Sequence, residues 1–229
     1  MSAIATNLQA VRARIAAAAS AAGRTPESIR LLAVSKTKPL ADVLAAAAAG
    51  QTAFGENYVQ EGCEKAAATV DRDLEWHFIG PLQSNKTRPV AEHFAWVHSV
   101  DRLKIAERLS AQRPGDLPPL QVCVQVNVSG EASKSGCTPA EALALCQAVA
   151  ALPNLRLRGL MAIPEPADAV AAQRAPLRRL RELYESIRAA GLPLDTLSMG
   201  MTHDLEAAVA EGATIVRVGT AIFGERNYT

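Results

Sequence analysis

Leu31-Leu32-Ala33-Val34-Ser35-Lys36-Thr37-Lys38-Pro39 is the stretch that decides the fold. Its first five residues form a short, nearly continuous apolar run, the pattern of a strand covered on both faces. Thr37-Lys38-Pro39 breaks the run, and residues 41–49 are alanine-rich with a helical pattern. The unit reads as strand, turn, helix. Lys36 stands at the strand tip, with its stem in apolar surroundings and its amine at a pocket mouth. Burial disfavours an ammonium, and the second cation at Lys38 disfavours it further. Both effects favour the neutral amine, the form that attacks an aldehyde. The plain alternative is a strand-end lysine snorkelling to solvent.

The same alternation recurs along the whole chain. Strand patterns fall at residues 31–35, 53–55, 76–79, 96–99, 121–126, 156–161, 196–198 and 214–218. Helical patterns lie between or after them at 41–49, 58–70, 86–93, 102–112, 139–151, 167–190 and 203–211, and residues 2–22 add a helix in front. Eight strand-then-helix units in 229 residues predict an α/β fold, a single (β/α)8 TIM barrel with an extra N-terminal helix. A doubly wound open sheet fits less well, because no Gly-rich turn follows the first strand. No Gly/Ser linker divides the chain, so residues 1–229 read as one domain; Arg113-Pro114-Gly115-Asp116-Leu117-Pro118-Pro119 is a loop.

Composition narrows the function. With 24 basic and 23 acidic residues interleaved, the net charge of +1 gives no surface for nucleic acid or an anionic membrane. No apolar run approaches the length of a membrane span, and the amphipathic first 22 residues do not form a signal peptide. The four cysteines, Cys63, Cys123, Cys137 and Cys146, show no CxxC spacing and read as reduced thiols. A cytoplasmic protein without a metal site is expected.

In such a barrel the functional face is built from C-terminal strand ends and the loops after them. Those positions hold Lys36, Gly55-Glu56-Asn57, His77 with the Gly80–Lys86 loop, Met161, Ser198-Met199-Gly200, Arg217 and Gly219-Thr220. The loops after strands seven and eight have the small residues that let backbone N–H groups approach an anion, and barrels commonly hold phosphate there. Ordinary turn chemistry explains either loop taken alone. Alternation puts Arg217 on the face of Ile215 and Gly219, below the phosphate. A structural ion pair of Arg217 with Glu75 or Asp195 is the competing reading. His77 either lines the pocket or is a hydrogen-bonded core histidine.

The segments AVSKTKP (33–39), FGENYVQE (54–61), WHFIGPLQSNK (76–86), GLMAI (159–163), LSMGMTHD (197–204) and VRVGTAIFG (216–224) occur in order over nearly the whole chain. In them the sequence resembles the YggS/PROSC family of pyridoxal 5′-phosphate (PLP) homeostasis proteins. The resemblance implies a barrel similar to the N-terminal domain of bacterial alanine racemases, with PLP held as an internal aldimine on Lys36. It further implies that the Ser198–Gly200 and Gly219–Thr220 loops bind the phosphate. Arg217 then approaches the pyridine nitrogen, Asn57 lies near the polar edge of the ring, and Lys38 and Lys134 match family lysines that handle incoming or outgoing PLP. Thr202-His203 departs from the family pattern and puts only local loop contacts in doubt.

PLP enzymes of broad reactivity pair the ring nitrogen with a carboxylate, which keeps it protonated as an electron sink. Arg217 is a donor that stays charged, so the nitrogen is expected to be unprotonated and the sink weak. Racemases with this arrangement take a second base from an additional domain, and no such domain is expected in this chain. Tyr58, Tyr184 and Tyr228 are not placed by the sequence to act as that base. The expected function is therefore a non-catalytic, monomeric carrier that buffers PLP and delivers it to PLP-dependent apo-enzymes. A PLP-dependent racemase of low activity and a Schiff-base aldolase are the alternatives.

Overall fold

A computed structural model of the chain describes residues 2–130 and 135–225. Eight parallel strands, β1 (Arg30–Val34), β2 (Ala53–Glu56), β3 (Glu75–Phe78), β4 (Trp96–Val100), β5 (Leu120–Gln125), β6 (Leu155–Met161), β7 (Thr196–Ser198) and β8 (Ile215–Val218), close into a barrel in chain order. Closure is made by β1 on β8, with Leu32 opposite Arg217. Helix α1 (Ala3–Ala21) precedes the barrel, and α2 (Leu40–Ala48), α3 (Val59–Ala67), α4 (Thr87–His93), α5 (Leu103–Gln112), α6 (Pro139–Ala150), α7 (Val170–Ala189), α8 (Leu205–Ala210) and α9 (Thr220–Phe223) follow the strands. This is the (β/α)8 barrel with an N-terminal helix that the alternation predicts.

The strands are apolar nearly throughout because both their faces are covered. Outward side chains meet the helices, which supply buried stripes such as Leu177, Leu180, Tyr184 and Ile187 on α7, at helical spacing. Inward positions follow the alternation of each strand: Leu32, Ala53, Ile79, Trp96, Cys123, Met161 and Ile215 form a separate buried cluster. Polar residues share those inward faces, and they carry the site described below.

Local chemistry sets the helix ends. Ser2 caps α1 by accepting from the Ala5 N–H, and Thr138 with Glu141 makes a full capping box on α6. Helix α1 buries Leu8, Val11, Ile15, Ala18 and Ala19. It is tied to the C-terminal elements by Arg14, which grips Glu206 and the Thr202 carbonyl, and by Asn7, which donates to the Ile222 carbonyl. The extra helix therefore braces the segments after β7 and β8.

Several boundaries differ from the sequence reading; helix α3, for one, ends at Ala67 and not at residue 70. Helix α7 starts at Val170, not at residue 167, because Ala169 is still extended. Helix α8 starts only at Leu205, since Asp204 Oδ1 first accepts from the Met201 N–H and holds a turn. The four-residue α9 follows Gly219 and is too short to leave a periodic signal.

Gly159 on β6 marks the closest strand approach. A Cβ there would run into the carbonyl oxygen of Thr196, its partner on β7. Gly159→Ala is expected to cost on the order of 1–3 kcal/mol by forcing the strands apart. A urea midpoint equal to that of the wild type would show that β7 yields without strain.

Candidate functional site

Lys36 lies two residues beyond the end of β1, in a backbone pinned on both sides. Before it, buried Ser35 donates its N–H to the Gly55 carbonyl at 3.0 Å and its hydroxyl to Glu56 Oε1 at 2.7 Å. After it, Thr37 takes φ 64, a left-handed conformation uncommon for a residue that is not glycine. Glu61 holds that turn by accepting from the Thr37 N–H at 2.7 Å. Lys65 on α3 joins the two anchors, donating to the Ser35 carbonyl, to Glu56 Oε1 and to Glu61 Oε1 at 2.8, 2.8 and 2.7 Å. Glu56 is fully buried and its other oxygen has no partner. Desolvation pushes its carboxyl upward, against the opposing pull of Lys65 and Ser35.

The lysine opens onto a cavity of about 230 Å³ at the C-terminal ends of the strands. Lys36, Lys38, Asn57, Arg217, Gly219 and Thr220 line it together with Val34, Ile79, Ile163, Gly224 and the Met201–His203 segment. Lys38 donates to the Glu225 carbonyl at 2.7 Å. Asn57 is held by a close backbone approach, because a Cβ on Gly80 would strike the Asn57 carbonyl. The Asn57 Oδ1 atom is buried with no hydrogen-bond partner.

Arg217 is 3% exposed and reaches this cavity from inside the barrel. It donates from Nη1 to Ser198 Oγ at 2.7 Å and from Nη2 to the Ala162 carbonyl at 2.8 Å. Among the described residues no carboxylate pairs with it. Burial pushes its guanidinium down to about 10, so it stays charged at neutral pH. The ion pairs weighed from the sequence do not form: Glu75 binds Arg30 at 2.6 Å and His77 at 2.7 Å, and Asp195 binds Arg158 at 2.7 Å.

The structure thus gathers Lys36, Lys38, Asn57, Arg217, Gly219 and Thr220 around one space. The remaining candidates stand behind that wall. Ser198 is fully buried, and its hydroxyl is occupied by Arg217 and by His98 Nδ1 at 2.7 Å. Met161 and Met199 are fully buried, and Gly200 (φ 95) offers its carbonyl to the Arg217 N–H. His77 does not line the cavity: it is a core histidine between Glu75 and His98, stacked on Trp96 at 5.2 Å. Lys134 lies outside the described residues. Sequence reasoning missed His98, the Lys65–Glu56 pair and the Met201–His203 wall. His98 was within reach, since alternation from Trp96 puts it on the inward face of β4.

Other chemistries find no support among the described residues. No group of three or more His, Cys, Asp or Glu is placed to hold a metal. The four thiols are free; burial pushes Cys63 and Cys137 up to about 11, Cys146 to about 12 and Cys123 higher still, so none is an activated nucleophile. What the cavity offers is an amine, a buried cation opposite it and a rim of small residues.

The chain matches the family described as alanine racemase, N-terminal domain, over residues 6–227. A pyridoxal phosphate homeostasis protein of Pseudomonas aeruginosa is 66% identical over 228 residues, covering 100% of this chain and 98% of its own length. The protein of the same name in Escherichia coli is 55% identical over 232 residues, covering 100% and 99%. Among solved structures, PipY of Synechococcus elongatus with PLP bound shares the fold with a TM-score of 0.84 and 39% identity, over 96% of this chain and 100% of that one. Alanine racemase of Corynebacterium glutamicum gives a TM-score of 0.73 at 18% identity, over 97% of this chain and 61% of that one, a likeness of fold alone.

Two outcomes follow from the buried charges. Lys65→Met leaves Glu56 without its cation, so a loss on the order of 3–5 kcal/mol is expected, recovered in part by adding Glu56→Gln. Full stability of the single variant in urea would contradict the pairing. His77 is held down to about 4, chiefly by desolvation, so the folded protein binds fewer protons than the unfolded chain below its ordinary value of 6.5. Stability is therefore complete above about pH 6.5 and falls by a few kcal/mol as pH drops toward about 4. Urea midpoints measured across that window check the sign, and a flat profile would mean that His77 charges in the folded state.

Proposed function

The chain belongs to the alanine racemase N-terminal domain family and, within it, to the pyridoxal phosphate homeostasis proteins, and on that premise we propose that Lys36 holds PLP, with Arg217, Asn57, Gly219 and Thr220 completing the site. The protein binds PLP and maintains its supply; it is a carrier, not an enzyme. The observation that carries the site assignment is the meeting of Lys36 and buried Arg217 at one cavity of about 230 Å³.

The residues present fit the group. PLP, when bound, supplies an aldehyde that condenses with a lysine amine. Lys36 offers that amine from a backbone that cannot drift, because Ser35 and Thr37 are both anchored. Asn57 has a buried oxygen in want of a donor. Gly219, exposed Thr220 and the Met201–His203 segment form the part of the wall suited to a phosphate, where small residues admit backbone donors. Ser198, Met199 and Gly200 act from behind that wall, shaping it and holding Arg217. The Arg217 guanidinium, which has donors and no acceptor, would face the ring nitrogen and favour its unprotonated form.

That choice of partner favours storage over turnover. A ring nitrogen kept neutral is a poor electron sink, so nothing in the pocket drives bond breaking at an attached amine. No second base stands out among the described tyrosines. Tyr184 on α7 is committed to the Leu194 carbonyl, and Tyr58 borders a groove that shares Asn57 with the cavity. We assign the whole chain to one domain acting as a monomer in the cytoplasm, with PLP-dependent apo-enzymes as recipients. No helix among the described residues is long and apolar enough to cross a membrane.

Borohydride reduction followed by peptide mapping is expected to place the phosphopyridoxyl mass on Lys36. Its appearance only on Lys38 or Lys134 would overturn the assignment. Thr220→Ala removes one hydrogen bond to a charged group, worth on the order of 1.5–3 kcal/mol, so PLP affinity should fall about tenfold or more. Affinity for unphosphorylated pyridoxal should stay unchanged in the same titration; an equal loss for both ligands would remove the phosphate from this rim.

A further inference from the structure

Resting on the reading of Lys36 and Arg217 as a PLP site, we propose that His98 is a positioning residue of that site. It orients the Ser198 hydroxyl so that Ser198 accepts from Arg217, and it is itself held in one tautomer by His77 and Glu75. The five side chains form a polar column along the inside of the barrel. Arg217 Nη1 lies 2.7 Å from Ser198 Oγ, Ser198 Oγ 2.7 Å from His98 Nδ1, His98 Nε2 2.8 Å from His77 Nδ1, and His77 Nε2 2.7 Å from Glu75 Oε1. The two histidines and Ser198 are fully buried, so water does not compete for these bonds.

Hydrogen-bond bookkeeping fixes every direction in the column. A guanidinium has only donors and a carboxylate only acceptors, so the two ends are set by chemistry. Glu75, which Arg30 secures from β1 at 2.6 Å, accepts from His77 Nε2–H, so a neutral His77 is an acceptor at Nδ1. A neutral His98 then donates from Nε2 to His77 and accepts at Nδ1. Ser198 donates its hydroxyl proton to that Nδ1 and accepts from Arg217. All four bonds run the same way, from Arg217 to Glu75, where Oε1 accepts from both His77 and Arg30. Reversing any one of them would set two donors or two acceptors face to face.

The charges around the column agree with neutral imidazoles. Burial depresses His98 well below its ordinary value, aided by the nearby charges of His77, Arg217 and Arg30. His77 is lowered by burial and by Arg30, with Glu75 opposing. The column connects two faces of the barrel. Glu75 lines a cavity of about 630 Å³ with Arg30, Trp96 and Arg158 near the N-terminal strand ends, while Arg217 lines the smaller one at the opposite ends. Replacing the Glu75 carboxylate therefore has a route to the cofactor pocket that is made only of named hydrogen bonds.

The test begins without PLP. In protein labelled with 15N-histidine, long-range 1H–15N spectra should show His77 and His98 as neutral Nε2–H tautomers from pH 5.5 to 8, with assignments made from His93→Gln and His203→Gln. A Nδ1–H tautomer at His98, or its titration in that range, overturns the proposal. Glu75→Gln, whose amide can also donate, should raise the Nδ1–H fraction at both histidines. An unmoved His98 in that variant counts against the column. With PLP added, His98→Leu should weaken binding about tenfold or more and shift the absorption band of the bound cofactor. His98→Gln, which keeps one acceptor and one donor, should restore both. Wild-type affinity and spectrum in His98→Leu would overturn the positioning role, even with the wild type loading normally. Failure of the wild type itself to take up PLP would instead count against the site reading, and the apo spectra would still decide the state of the column.

Discussion

One buried cation that forms no ion pair among the described residues stands at the C-terminal end of this barrel. There the Arg217 guanidinium donates to a serine hydroxyl and a carbonyl oxygen, and the charge of Asp204 favours it from further away. Desolvating an ion costs several kcal/mol even after the surroundings relax, and neutral oxygens offset only part of that. The balance is supplied by the rest of the fold: strand closure between β1 and β8 keeps Arg217 in place opposite Leu32, and Ser198 is fully committed to it. On the proposed reading, an anionic ligand with a ring acceptor would complete this set of bonds.

The second buried cation, Lys65, is handled in the opposite way. It has two carboxylates and a carbonyl within hydrogen-bond reach and no role at the cavity wall. Its work is to join β1, β2 and α3 at the point where the chain turns past Lys36. The two cations differ in place: one is paired with carboxylates behind the wall, the other lines the cavity with neutral partners. Charge alone did not distinguish them in the sequence, since both are basic residues near strand ends.

Much of the architecture was legible because its causes are local. Continuous apolar runs such as 31–34 and 122–124 announce doubly covered strands, and the repeated strand-then-helix order leaves few closed arrangements. The place of Lys36 at a cavity mouth was legible as well, from its position at the tip of an apolar strand. What failed were readings that depend on contacts across the sheet. Ser198 looked like a phosphate hydroxyl because it precedes a glycine loop, yet strand pairing turns it inward to His98, a hundred residues away in sequence. For His77 the sequence left pocket and core both open, and the registry of β3 with β4 makes it a link in the core. Glu75 was considered as a partner for Arg217 and turns out to be joined to it only through three intermediaries. No local pattern encodes such a chain; it exists only once the barrel closes.

The left-handed Thr37, clamped by Glu61, has a consequence for time. Because the backbone on either side of Lys36 is fixed, its amine changes position by rotation about its own side-chain bonds. Such rotations take picoseconds to nanoseconds, whereas loop rearrangements take nanoseconds to microseconds and larger openings longer still. On the assignment of PLP to Lys36 proposed above, loading and unloading would be set by the making and breaking of a covalent bond and by diffusion through the cavity mouth, with the anchored turn as a fixed platform.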